Sequence, residues 1–269
     1  MLPSIPQPGG GGEHVWHCPQ TVPFSFLTDY MKHNLLILSL LSISTTIQAQ
    51  KFTAVFKPVA PNAYIHTSYA RPYGSPYPSN GMVVSTTAGA VLIDTGWDED
   101  QTKQIVRWVK AELHQPVVLC IITHNHYDRM AGLPYLKKRG VRVVSTDLTR
   151  AKMSAVGLQE PTGVLPNDTM FTIGGQTFRT YFPGAGHAGD NIVVWLPAQK
   201  VLFAGCLVKD TATMGLGNLS DAVLSDWPQS VRNVQTTFPD AELIVPGHQE
   251  PGDKRLLTHT LKLLEMRPK

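Results

Sequence analysis

Four histidines, an aspartate and a cysteine carry the chemistry open to this chain. The run Thr123-His124-Asn125-His126-Tyr127-Asp128-Arg129 follows Val117 to Ile122, an apolar stretch that reads as a buried strand. His124 and His126 are two apart, so on extended backbone they project to the same side, with Asp128 next in the series. Nitrogen and oxygen donors converging past a strand end suit Zn²⁺, a borderline-soft ion that takes imidazole and carboxylate together. His187 lies in Pro183-Gly184-Ala185-Gly186-His187-Ala188-Gly189, Cys206 in Phe203-Ala204-Gly205-Cys206, and His248 in Val245-Pro246-Gly247-His248. Each sits beside glycine after a β-type run, where side chains can gather at one sheet edge. Six donors are two more than one tetrahedral zinc needs. Two ions with three protein ligands each, sharing a water, account for all six.

Other chemistries lack their residues. Neither an SxxK nor a GxSxG string occurs, so the common serine-nucleophile frames are missing. The balance of 23 Lys+Arg against 20 Asp+Glu, with no extended basic run, gives a nucleic-acid partner no electrostatic support. Cys18, Cys120 and Cys206 are too few for a disulfide scaffold, and Cys120 reads as a small buried hydrophobe. The longest apolar run is far below the roughly 18–20 residues that span a bilayer.

The elements that must position the donors begin near residue 50. Residues 1–30, with five prolines and the Gly9–Gly12 run, read as a non-native or upstream leader. Residues 31–49 have a basic start at Lys32, an apolar core from Leu35 to Ile43 and a small residue at Ala49, the pattern of a signal peptide. That predicts export to the periplasm, with residues 50–269 as a single domain. Strands are expected at 52–56, 63–67, 82–86, 90–93, 117–122, 140–145, 176–182, 191–196, 200–204 and 243–245. Helices are expected after the acidic Asp98-Glu99-Asp100, around Val231 to Phe238, and at Leu257 to Leu264. Residues 68–81, rich in Pro and Gly, read as a long loop carrying Tyr69, Tyr73 and Tyr77. The fold class is mixed α/β.

With these motifs in place, the chain resembles a metallo-β-lactamase of subclass B1, from Leu92-Ile93-Asp94-Thr95-Gly96-Trp97 to His248. The resemblance implies a four-layer αββα sandwich with metals at one edge. It implies a first zinc on His124, His126 and His187, and a second on Asp128, Cys206 and His248. Lys209 matches the lysine that pairs with the substrate carboxylate, and Asn218 the asparagine near the β-lactam carbonyl. Residues 68–81 match the flap over the site. The implied reaction is hydrolysis of the β-lactam amide in penicillins, cephalosporins and carbapenems by a zinc-bound hydroxide, conferring antibiotic resistance. Asp128 would orient the nucleophile and Asn218 would assist at the oxyanion. A monomer with no membrane anchor is expected. The wider superfamily reads HxHxDH; here Arg129 replaces the last His and Cys206 the usual bridging Asp. Both departures point away from the alternative, a hydrolase of the same fold acting on a lactone or thioester. A non-catalytic zinc-binding protein is a further alternative, against which Lys209 and Asn218 argue.

Overall fold

The computed structural model describes residues 51–266; the leader expected at 1–30 and the signal peptide at 31–49 lie outside the described residues. Twelve strands form two sheets among the described residues. The first runs in sequence order through β1 (Val55–Ala60), β2 (Ala63–Ala70), β3 (Tyr77–Val84), β4 (Ala90–Ile93), β5 (Val117–Ile121), β6 (Arg142–Thr146) and β7 (Gly163–Leu165). Pairing is antiparallel from β1 to β4 and parallel from β4 to β7. The second sheet contains β8 (Asp168–Ile173), β9 (Gln176–Tyr181), β10 (Val193–Leu196), β11 (Val201–Gly205) and β12 (Leu243–Pro246), in the order β12-β11-β10-β9-β8.

Strand alternation creates the layers. Met82, Val84, Val91, Ile93, Leu119 and Ile121 face Val194, Val201, Phe203 and Val245 of the second sheet in a central core. The residues between them, Val83, Leu92 and Cys120, point outward under the helices. There they meet α1 (Glu99–Glu112), α3 (Leu133–Lys138) and α4 (Asp147–Ala155) through Ile105, Val109, Leu136 and Met153. On the opposite outer face Trp195, Leu202 and Ile244 pack under α5 (Trp227–Thr237) and α6 (Arg255–Met266) through Val231, Val234 and Leu257. The result is the expected helix–sheet–sheet–helix order. α1 starts where Asp98 caps it, its Oδ1 accepting from Gln101 N at 2.7 Å. Cys120 is fully buried, as expected of a small hydrophobe.

One expectation fails, and one stretch holds elements that were not expected. Residues 68–81 are not a long loop: β2 and β3 stay paired out to Ala70 and Tyr77, leaving only 71–76 as the turn. β4 pairs with β3 only at Met82 to Val84. The outer half of β3 therefore behaves as an edge, where Pro78 can sit without breaking a second ladder. The stretch 127–173 also holds elements with no clear sequence signal: the one-turn α2 (Tyr127–Met130), α3, α4, β7 and β8. β8 turns into β9 through Gly174-Gly175, both at positive φ, as a two-residue hairpin requires.

Candidate metal centre

Strand direction gathers the donors. β9, β11 and β12 run the same way, so the segments following them leave the second sheet at one edge. Those segments carry His187, Cys206 and His248. The segment after β5 brings His124, His126 and Asp128 to the same place, His126 at the N-cap of α2 and Asp128 in its first turn. Gly247 is required there, because a Cβ would come within 2.5 Å of Cys206 Sγ and 3.0 Å of Arg129 Nη2.

His126 Nδ1 lies 3.1 Å from both His124 Nε2 and His187 Nε2. The other ring nitrogens explain why these three can face one another. Thr123 Oγ1 donates to Asp94 Oδ2 at 2.8 Å and so accepts from His124 Nδ1 at 3.2 Å, which leaves Nε2 with its lone pair. His126 Nε2 donates to Asp221 Oδ2 at 2.8 Å, which frees Nδ1. His187 Nδ1 is buried without a partner among the described residues. Burial, then the neighbouring cationic groups, hold His124 and His187 well below the usual imidazole range, so both are neutral donors.

The second set is built differently. Cys206 Sγ is 3.4 Å and Asp128 Oδ2 3.5 Å from His248 Nε2. His248 Nδ1 donates to Pro78 O at 2.7 Å, so Nε2 carries the lone pair, with Arg129 Nη2 3.4 Å from it, and burial pushes this histidine down to about 4. Burial raises the Asp128 carboxyl, but Arg129 and the nearby histidines outweigh it and the net direction is down. Arg129 is fully buried and reaches Asp128 Oδ2 at 2.6 Å, Asn80 O at 2.6 Å and Gly247 O at 2.8 Å. It is an internal strut and does not face the cleft. Burial pushes the Cys206 thiol up to about 11, so its thiolate needs a cation beside it.

Among the described residues, ligand atoms lie within 4.8 Å of one another in two groups, His124–His187–Cys206 and Asp128–Cys206–His248. Cys206 belongs to both, so the sets are adjacent. Lone pairs aimed inward, buried thiol and carboxylate, and borderline-soft donors together fit zinc.

A cleft of about 940 Å³ opens over the donors. Tyr73, Tyr77, Trp97, Tyr127, Lys209 and Asn218 are among the residues that line it. The Tyr77 ring lies tilted 4.8 Å from that of His248, and burial raises its hydroxyl to about 12, leaving a neutral phenol. Lys209 is 9% exposed, with Nζ 5.5 Å above the Trp227 ring. Asn218 Oδ1 accepts from Ser220 N at 3.0 Å, so its amide N–H groups remain for the cleft. All eight predicted site residues thus meet at one place.

Sequence reasoning missed three groups around the donors. Asp221 holds His126 from 95 residues away; Ser79 donates to Asp128 Oδ2 at 3.2 Å; Asp190 accepts from Asn125 N at 2.8 Å and from Lys152. None has a local signature. Asp94 had one, the Ile93-Asp94-Thr95 turn: it is fully buried at φ 62° and burial lifts its carboxyl to about 7.

The chain is similar in sequence and fold to known metallo-beta-lactamases. The model of the metallo-beta-lactamase superfamily matches residues 74–248. A type 2 metallo-beta-lactamase of Bacillus cereus is 42% identical over 204 residues, covering 76% of this chain and 80% of the relative. One from Bacteroides fragilis is 38% identical over 187 residues, covering 70% and 75%. The solved metallo-beta-lactamase from Pontibacter korlensis superposes with a TM-score of 0.78 at 43% identity, over 80% of this chain and all of that one. A Pseudomonas aeruginosa metallo-beta-lactamase, solved in its mono-zinc form, gives 0.76 at 31% identity, over 81% and 97%.

Proposed function

The chain belongs to the metallo-beta-lactamase superfamily and hydrolyses the β-lactam amide with zinc, and we propose that its six donors divide between two zinc ions. His124, His126 and His187 would hold the first; Asp128, Cys206 and His248 the second. The observation carrying this division is the 3.1 Å approach of His126 Nδ1 to both other histidines, beside an Asp-Cys-His group whose cysteine also lies near His124 and His187. When bound, zinc supplies Lewis acidity and makes water ionisable near neutral pH.

The chain's own residues do the rest. Lys209 offers a buried positive charge for the carboxylate that β-lactams carry. Asn218 turns its amide N–H groups toward the substrate carbonyl and favours charge developing there. Arg129 and Ser79 engage Asp128 Oδ2, which leaves Oδ1 as the oxygen that can orient the attacking water. Tyr73, Tyr77 and Trp97 shield the reacting centre from bulk water.

Lys32, the apolar run Leu35 to Ile43 and Ala49 support periplasmic export. Among the described residues no helix is long and apolar enough to cross a membrane.

The test is turnover of a penicillin, a cephalosporin and a carbapenem, with and without a chelator. Turnover should vanish on chelation and return with zinc. Chelator-resistant turnover, or lactone hydrolysis with no β-lactam turnover, would overturn the reading.

A further inference from the structure

The segment between β11 and α5 carries Asn218 and is tied down at its C-terminal end beside the histidines. Val223 N donates to Gly186 O at 2.8 Å, next to His187. Asp221 Oδ2 accepts from His126 Nε2 at 2.8 Å. Further from these ties the segment has a second anchor, Leu216 in the core under the helices and Thr213 O accepting from His259 Nε2 at 2.8 Å, while Met214 between them is 86% exposed and a Cβ on Gly215 would meet nothing within 4 Å. Asp221 and Asn218 belong to one turn, closed by Ala222 N donating to Leu219 O and Ser220 N donating to Asn218 Oδ1. Moving Asp221 therefore moves Asn218.

We propose that Asp221 is a positioning residue coupling zinc binding at His126 to placement of the 213–221 segment, Asn218 included. The inference rests on the reading of His124, His126 and His187 as zinc ligands. The Asp221 carboxylate holds the ring proton on Nε2 and so presents the Nδ1 lone pair to the cation. A cation on Nδ1 in turn polarises the ring and strengthens the Nε2–H bond to Asp221. Coupling of this kind is reciprocal: zinc secures the segment, and a secured segment tightens zinc. The Asp221 side chain is half-exposed, so the bond is screened and can open, as an adjustable cleft wall needs.

The experiment uses full-length Asp221→Ala, Asp221→Asn and His187→Ala. Each is titrated with zinc against a competing chromophoric chelator, then digested by limited proteolysis within 211–226, with and without zinc. Asp221→Ala should weaken the first zinc about 10- to 100-fold, the usual scale for such an outer carboxylate. It should also abolish the protection that zinc gives the segment. Asp221→Asn, whose Oδ1 still accepts from Nε2–H, should fall between Ala and wild type. Loss of a zinc in His187→Ala with unchanged affinity, or unchanged protection, in Asp221→Ala overturns the coupling alone. His187→Ala binding zinc as wild type does overturns the ligand reading beneath it.

Discussion

The three-histidine set and the Asp-Cys-His set share one edge of the sandwich, yet their neighbours are of opposite charge. The histidine set offers ring nitrogens braced by acceptors: Thr123 behind His124, and the Asp221 carboxylate behind His126. The second set offers a carboxylate and a thiol and is braced by a guanidinium, Arg129, within 2.6 Å of Asp128 Oδ2. A cation entering the first set meets lone pairs already aimed at it. A cation entering the second shares Asp128 with a buried positive charge. Two adjacent sites can thus use similar donor types and still differ in affinity, because the groups behind the donors set the local potential. The first set is tied to the segment bearing Asn218, the second to the flap strand through Pro78 and Ser79.

The sharpest way to break this contrast is to remove the strut. Arg129→Ala leaves Asp94 and Asp128 buried without their cation, and urea unfolding after chelation should show a loss of about 3–5 kcal/mol. Unchanged stability would mean the guanidinium does not organise the second set. Next come the donors themselves. His124→Ala should lower turnover about 10²–10³-fold, the scale of losing one electrostatic stabiliser. Cys206→Ser should instead take zinc stoichiometry, read by metal analysis, from two to one while the first site keeps its affinity. Equal zinc content in Cys206→Ser and wild type would remove the cysteine from the second set. Lys209→Met should raise KM about 10- to 100-fold with little change in kcat, as expected for a lost hydrogen bond to a charged group. A fall in kcat alone would make Lys209 a group acting only in the transition state.

The smallest effects test the braces one at a time. Thr123→Val removes the acceptor behind His124, and Ser79→Ala the donor on Asp128; each should cost about 0.5–1.5 kcal/mol. Chelator titration should assign the first loss to the histidine set and the second to the other set. Identical effects on both sets would erase the distinction drawn here.

Much of this was legible before the fold was known. Val117 to Ile122 announced β5, and Ile105 and Val109 the buried face of α1, because each pattern records a local period. The flap was misread because Pro and Gly usually stop strands, and nothing local says that the outer half of β3 has an unpaired side. α2 and α3 are too short to show a helical period. Within the site, the donors stood out by spacing, whereas Asp221, Ser79 and Asp190 are ordinary polar residues made relevant only by contacts 38 to 95 residues away.

The sequence by itself determined which atoms can bind metal, since donor type and spacing along the chain are covalent facts. Only the tertiary structure decided which ring nitrogen of each histidine is free, that Arg129 turns inward, and which segment answers to which donor set. Those depend on hydrogen bonds between distant stretches of chain, which form only when both sheets have packed and brought their edges together.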